Sequence, residues 1–268
     1  FAGVGVIIAS RVAPERITFL SVVWIVLAFT AARFAAMGFN RIVDRQYDAL
    51  NPRTKQRELP SGRLSLAQAV AAVVVASALF IFLAWQLNPL CGMLSPVALL
   101  WIYGYSYAKR FTMLAHHMLG FALGIAPVGA YLAVTGAWSS PWWALVVLAL
   151  GVMFWVAGFD VIYALQDLDF DREHGLHSIP AAVGPARAIT LARAFHVLAF
   201  VLFLSLFWVA SFQLGVLYLV GLAVMAGLLV YEHAVVGGAD PRLRKVQAAG
   251  GPVAGVRSAG WTNPRGRR

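Results

Sequence analysis

The chain has 268 residues, 61% of them hydrophobic and 12% charged, with a net charge of +10 at neutral pH. Soluble domains carry about a quarter charged residues, so this composition, with a mean hydropathy of +0.77, excludes an ordinary soluble enzyme and indicates a polytopic membrane protein. The basic residues sit in short gaps between apolar runs, which marks them as topology signals and argues against nucleic acid as a partner.

About 20 apolar residues cross a bilayer as a helix. Residues 1–10 read as the end of a helix that begins upstream. Full spans are predicted at 17–40, 66–86, 89–107, 113–134, 142–165, 189–210 and 214–231. Residues 237–268 are rich in Gly, Pro and Arg and predict a polar, irregular tail after a transmembrane domain over 1–236. The fold class is therefore all-α, a polytopic transmembrane helix bundle. The single Cys91 excludes an internal disulfide framework and a cysteine-built metal site.

The gaps alternate in character. The 41–63 loop carries Arg41, Arg45, Arg53, Lys55, Arg57 and Arg63, whereas the hinge at 87–88 is neutral. Lys109 and Arg110 follow, then an uncharged turn at 135–141, a charged stretch at 167–193 and an uncharged turn at 210–213. This alternation places the charged loops in the cytoplasm of a multi-pass protein of the cell inner (plasma) membrane. The 11–16 loop, with Arg11, Glu15 and Arg16, is the exception. Trp138, Trp142 and Trp143 read as an interfacial belt.

One type of acidic motif occurs twice. At the end of the first full span, Asn40, Asp44 and Asp48 fall at i, i+4 and i+8, one face of a helix. At the end of the fifth, Asp160, Asp167 and Asp171 fall at i, i+7 and i+11, again a single helical stripe. The topology puts both stripes on the same side of the membrane. Clustered carboxylates at a membrane boundary need a compensating cation. All-oxygen ligands select Mg²⁺ or Ca²⁺, and Mg²⁺ leaves coordination positions for water and substrate phosphate. Two facing stripes can hold a diphosphate between two Mg²⁺ ions, with Arg53, Arg57 and Lys109 neutralising the remaining charge.

These segments resemble the UbiA superfamily of intramembrane aromatic prenyltransferases. The resemblance rests on Asn40 to Asp48, the Asn51-Pro-Arg-Thr-Lys-Gln-Arg stretch, the Tyr105-Ser-Tyr-Ala-Lys-Arg stretch, and Asp160 to Asp171 with its continuation His174-Gly-Leu-His-Ser-Ile-Pro. It implies a bundle of nine transmembrane helices around a central cavity, of which about seven full spans and a partial first one are legible here. It implies that Asn40, Asp44 and Asp48 bind one Mg²⁺ and Asp160, Asp167 and Asp171 the other. Arg53, Arg57, Lys109 and Tyr105 would then contact a polyprenyl diphosphate, and Asp169 is a lesser candidate. The family's first helix is mostly absent from the sequence, and no last helix is legible after His233, which would leave the cavity open on one side.

The implied reaction is Mg²⁺-dependent transfer of a polyprenyl group to a small aromatic acceptor. The flanking stretches look like those of 4-hydroxybenzoate polyprenyltransferases of ubiquinone synthesis, and equally like the enzymes that prenylate 1,4-dihydroxy-6-naphthoate for menaquinone. A transporter is the alternative of another class, but transporter acids lie near the membrane midplane and these lie at helix ends. A non-catalytic remnant is the third reading. His116 and His117, early in the fourth full span, either pack or reach an acceptor's hydroxyl or carboxylate. His174 and His177 either cover the site or are solvated. Gly120, Gly124 and Gly129 are expected at close helix contacts, and Glu232 and His233 at an interfacial helix end.

Overall fold

A computed structural model describes residues 1–138, 142–209 and 214–239. The described chain is helical, with turns between the helices. In order these are α1 (Ala2–Val12), α2 (Phe19–Leu50), α3 (Leu66–Leu87), α4 (Pro89–Ala108), α5 (Ala115–Thr135), α6 (Trp142–Ala164), α7 (Leu168–Glu173), α8 (Ile179–Val183), α9 (Pro185–Val209) and α10 (Val216–Ala239). Every predicted span has its helix; most ends shift by a few residues, but α2 runs on to Leu50 and α10 to Ala239, well past the predicted ends at 40 and 231. Among the described residues six apolar stretches are long enough to cross a membrane, and α4, at 20 residues, is as long as a span requires. The turn residues 139–141 and 210–213 and the expected tail from 240 onward lie outside the described residues.

Local sequence sets the helix ends. Thr18 and Ser21 form a reciprocal capping box that starts α2, and Ser65 and Gln68 form another that starts α3. Asn88 caps α4 through Cys91 N and is followed by Pro89 at the first helical position. The same Asn88 amide donates to the carbonyls of Leu132 and Ala133 in the last turn of α5, the first of which also accepts the Gly136 backbone N–H. Gly136 then takes the left-handed conformation, φ 69°, that ends α5.

Helix α2 has 32 residues, about 48 Å at 1.5 Å per residue, against a hydrocarbon core of about 30 Å. Its last turns therefore project beyond the core, and those turns carry Asn40, Asp44 and Asp48.

In lipid, helices associate through close packing more than through burial of apolar area. Helix α5 packs against α1, α4 and α6, α6 packs in turn against α9, and α2, α3 and α4 form a second group. Small residues permit these contacts. A Cβ at Gly120 would collide with the Met153 backbone, and one at Gly124 would stand 2.5 Å from the Ala149 carbonyl oxygen. Gly129 differs: a Cβ there would meet only Phe29 at 3.6 Å, an ordinary contact. The largest buried cluster joins Tyr131, Leu145, Leu148, Val152 and Phe203 from α5, α6 and α9. The outside is apolar, with Phe19 and Leu217 each 87% exposed, as a lipid-facing surface requires.

Two readings of the sequence need correction. The second acidic motif does not lie on one continuous helix: α6 ends at Ala164, Leu165–Asp167 form a 3₁₀ turn, and α7 resumes at Leu168. Tighter winding over three residues advances the stripe by about 60° relative to an unbroken α-helix. Helix α10 does not end at Glu232 and His233. It continues to Ala239, and His233 turns inward to bond His196 of α9 at 2.9 Å.

Candidate active site

The turns that end α2, α4 and α6 meet around a cavity of about 230 Å³. Its lining includes Asn40, Asp44 and Asp48 from α2, Arg53 and Arg57 from the following loop, Tyr105, Lys109 and Arg110 from the end of α4, and Asp160, Asp167 and Asp171 from α6 to α7. Every site residue expected from the sequence therefore borders one cavity. Asp169 is exposed and is not part of its lining.

The helical spacing of the first motif works as predicted. Asn40 Nδ2 donates to Asp44 Oδ2 one turn on, at 3.0 Å. Arg57 Nη1 donates to both oxygens of Asp48 at 2.8 and 2.9 Å. Asp48 is buried, and its backbone carbonyl accepts from the Thr54 hydroxyl at 3.1 Å. The loop is thus folded back on the helix it leaves.

Arg53 does something different. It reaches across the cavity to the second motif and grips Asp167 in a fork, Nε to Oδ1 at 3.0 Å and Nη2 to Oδ2 at 2.5 Å. Its remaining nitrogen, Nη1, donates to the Tyr163 hydroxyl at 2.6 Å. The hydrogen bond to Asp167 raises the Arg53 pKa further above its already high ordinary value. Asn51 Nδ2 also donates to Asp167 Oδ1, at 2.9 Å, while Asn51 Oδ1 accepts from the Arg53 backbone N–H. A short polar turn after α2 therefore fixes the acid of the 3₁₀ turn that follows α6.

Arg110 belongs to the site although the sequence singled out only its neighbour Lys109. Its Nη2 lies 3.6 Å from Asp44 Oδ1 and donates to the Val43 carbonyl at 2.8 Å. The guanidinium stands between the rings of Tyr47 and Tyr107, at 5.2 and 5.3 Å. Asn51, Tyr163 and Arg110 are the additions the structure makes. Arg110 and Asn51 were inside the quoted motifs, but nothing in their spacing said which carboxylate each would meet.

Helix α7 borders the cavity through Phe170 and Asp171, and the segment after it through Leu176, not through its histidines. His174 stacks on Phe170, 4.0 Å between ring centroids, and His177 is exposed. The His177 backbone N–H donates to the Lys109 carbonyl at 2.6 Å, which ties this segment to the end of α4.

Five carboxylates and four cations line the cavity, so it carries one net negative charge. Asp171 is 2% exposed, and its Oδ2 has no hydrogen-bond partner. A buried carboxylate oxygen left in that state costs several kcal/mol unless a cation or donor reaches it. Among the described residues no three acid, histidine or cysteine side chains already converge on one point.

Comparison with known proteins agrees with this architecture. The chain is 32% identical to the 4-hydroxybenzoate octaprenyltransferase of Polynucleobacter asymbioticus over 201 residues, 75% of this chain and 68% of that one. It is 32% identical to the enzyme of the same name from Tolumonas auensis, over 78% of this chain and 72% of that one. Among solved structures, the apo structure of a UbiA homolog from Aeropyrum pernix K1 superposes with a TM-score of 0.81 at 34% identity, covering 91% of this chain and 88% of that chain. A UbiA homolog from Archaeoglobus fulgidus, solved bound to GPP and Mg²⁺, shares the fold with a TM-score of 0.67 at 20% identity, over 93% and 89%. The UbiA prenyltransferase family profile matches residues 1–248, nearly the whole chain, and on that match the chain belongs to the UbiA prenyltransferase family.

Proposed function

We propose that the chain transfers a polyprenyl group from polyprenyl diphosphate to 4-hydroxybenzoate, on the cytoplasmic side of the inner membrane. The observation that carries this reading is the shared cavity of the two acidic motifs, with its near balance of charge. A bare anion would meet a net negative wall, whereas an anion that arrives with divalent cations suits it. The donor set is all oxygen, which fits Mg²⁺, and Asp171 Oδ2 is a buried acceptor in want of a cation. Mg²⁺ takes one or two carboxylates and completes its shell with water and phosphate, so a preformed cage is not required.

In this reading Asn40, Asp44 and Asp48 hold one Mg²⁺, and Asp160, Asp167 and Asp171 hold a second. Bound Mg²⁺ supplies positive charge against the departing diphosphate. Arg53, Arg57, Lys109 and Arg110 donate to the diphosphate oxygens, and Tyr105 adds a hydroxyl donor. The allylic C–O bond breaks, and its electron pair leaves with the diphosphate. The ring carbon ortho to the acceptor's hydroxyl forms the new C–C bond, and the ring proton is then lost. Leu119, Phe170 and Leu176 line the cavity and exclude water from the allylic cation, and the faces of Tyr47, Tyr105 and Phe170 can stabilise it. The names of the relatives favour 4-hydroxybenzoate over 1,4-dihydroxy-6-naphthoate as the acceptor.

The test is an assay on membranes containing the chain, with labelled polyprenyl diphosphate, Mg²⁺, and the two acceptors in parallel. Prenylated 4-hydroxybenzoate that disappears on adding EDTA is expected. Product from the naphthoate alone would move the acceptor to menaquinone synthesis. Absence of product from both would refute the reading.

A further inference from the structure

The acids of the cavity are not held alike. Asp48 is gripped by Arg57, Asp167 by Arg53 and Asn51, and Asp44 lies between Asn40 and Arg110. Asp160 has no guanidinium. Its partner is His116 of α5, whose Nδ1 lies 2.7 Å from Asp160 Oδ2. His116 is 0% exposed, whereas the Asp160 side chain keeps 22% of its surface open. The other ring nitrogen, Nε2, accepts from the Ile179 backbone N–H at 3.1 Å. A backbone N–H can only donate, so Nε2 carries the lone pair and Nδ1 carries the proton that it donates to Asp160. Geometry alone fixes the tautomer. Oδ1 of Asp160 makes no hydrogen bond among the described residues.

We infer that His116 is a positioning residue for this site: it orients the Asp160 carboxylate toward the cavity and couples it to the start of α8 through Ile179. The inference rests on reading the cavity as a metal and diphosphate site. Asp160 lies seven residues before Asp167, about 10 Å deeper along α6, where dehydration of a carboxylate is most severe. A neutral imidazole holds such a carboxylate in one orientation without cancelling its charge. Hydrogen bonds to ligating carboxylates typically govern about 10- to 100-fold in metal affinity.

Two isosteric substitutions separate positioning from packing. The amide nitrogen of His116→Asn can stand in for Nδ1 and keep the bond to Asp160. The amide oxygen of His116→Gln can stand in for Nε2 and keep the bond from Ile179, while the donor to Asp160 is lost. Mn²⁺ binding is measured by electron paramagnetic resonance on purified protein with an unreactive geranyl thiodiphosphate. His116→Asn is expected within about threefold of wild type, and His116→Gln weaker by about 10- to 100-fold. His116→Ala, which removes both contacts without added bulk, is expected to follow His116→Gln and replaces it if that variant does not fold. Equal weakening by Asn and Gln, or wild-type affinity in Gln or Ala, would overturn the inference. Asp160→Asn is the separate control: unchanged Mn²⁺ affinity in that variant refutes the placement of Asp160 in a metal site, whatever His116 does.

Discussion

The Arg53–Asp167 fork joins the loop after α2 to the turn after α6, across 114 positions of sequence, and its contribution can be measured. The fork has two charge-assisted hydrogen bonds, with a third to the same carboxylate from Asn51. Breaking a fully buried pair by removing one partner costs about 3–5 kcal/mol. Here Asp167 is mostly buried, but the Arg53 side chain is 34% exposed, so solvent screens the pair. Arg53→Ala and Asp167→Ala are each expected to destabilise the detergent-solubilised protein by about 1–2 kcal/mol. The double variant should lose little more than either single one, which leaves a coupling of about 1–2 kcal/mol in the cycle. Thermal or denaturant unfolding of the four proteins, without ligand, gives that number. Additivity to within about 0.3 kcal/mol would show that the two groups do not interact in the folded protein, and the cavity as described would be wrong.

Other consequences are equally direct. Asp44→Ala and Asp171→Ala should each reduce turnover by about a thousandfold or more, with the fold intact by circular dichroism; full Mg²⁺-dependent activity in either would remove it from the site. Arg57→Ala should weaken prenyl-diphosphate binding about tenfold through loss of a charged donor, read as a rise in KM or in the Kd of an unreactive thiodiphosphate. Gly124→Val should destabilise the α5–α6 pair by about 2 kcal/mol or more, because the added side chain meets backbone that cannot yield; a melting temperature equal to wild type would contradict the packing.

Hydropathy and helix length are local properties, so the sequence alone determined the helical spans and the six acid and amide positions of the two motifs. The i, i+4 pairing of Asn40 with Asp44 follows from helix geometry and needs no tertiary information. Partner choice between distant segments does not follow in that way. Arg53 and Arg57 are one turn apart in sequence, yet one folds back on Asp48 and the other crosses to Asp167, because the loop places them on opposite sides of the cavity. The 3₁₀ turn at Leu165–Asp167 falls inside a run with no Gly or Pro, so no local signal marks it. His116 looked like one of two adjacent histidines in an apolar helix. Only the approach of α6 and of the Ile179 backbone gave its two nitrogens different partners. Hydrogen bonds are directional and short-ranged, so the chemistry of each group in this cavity is decided by which helices the bundle brings together.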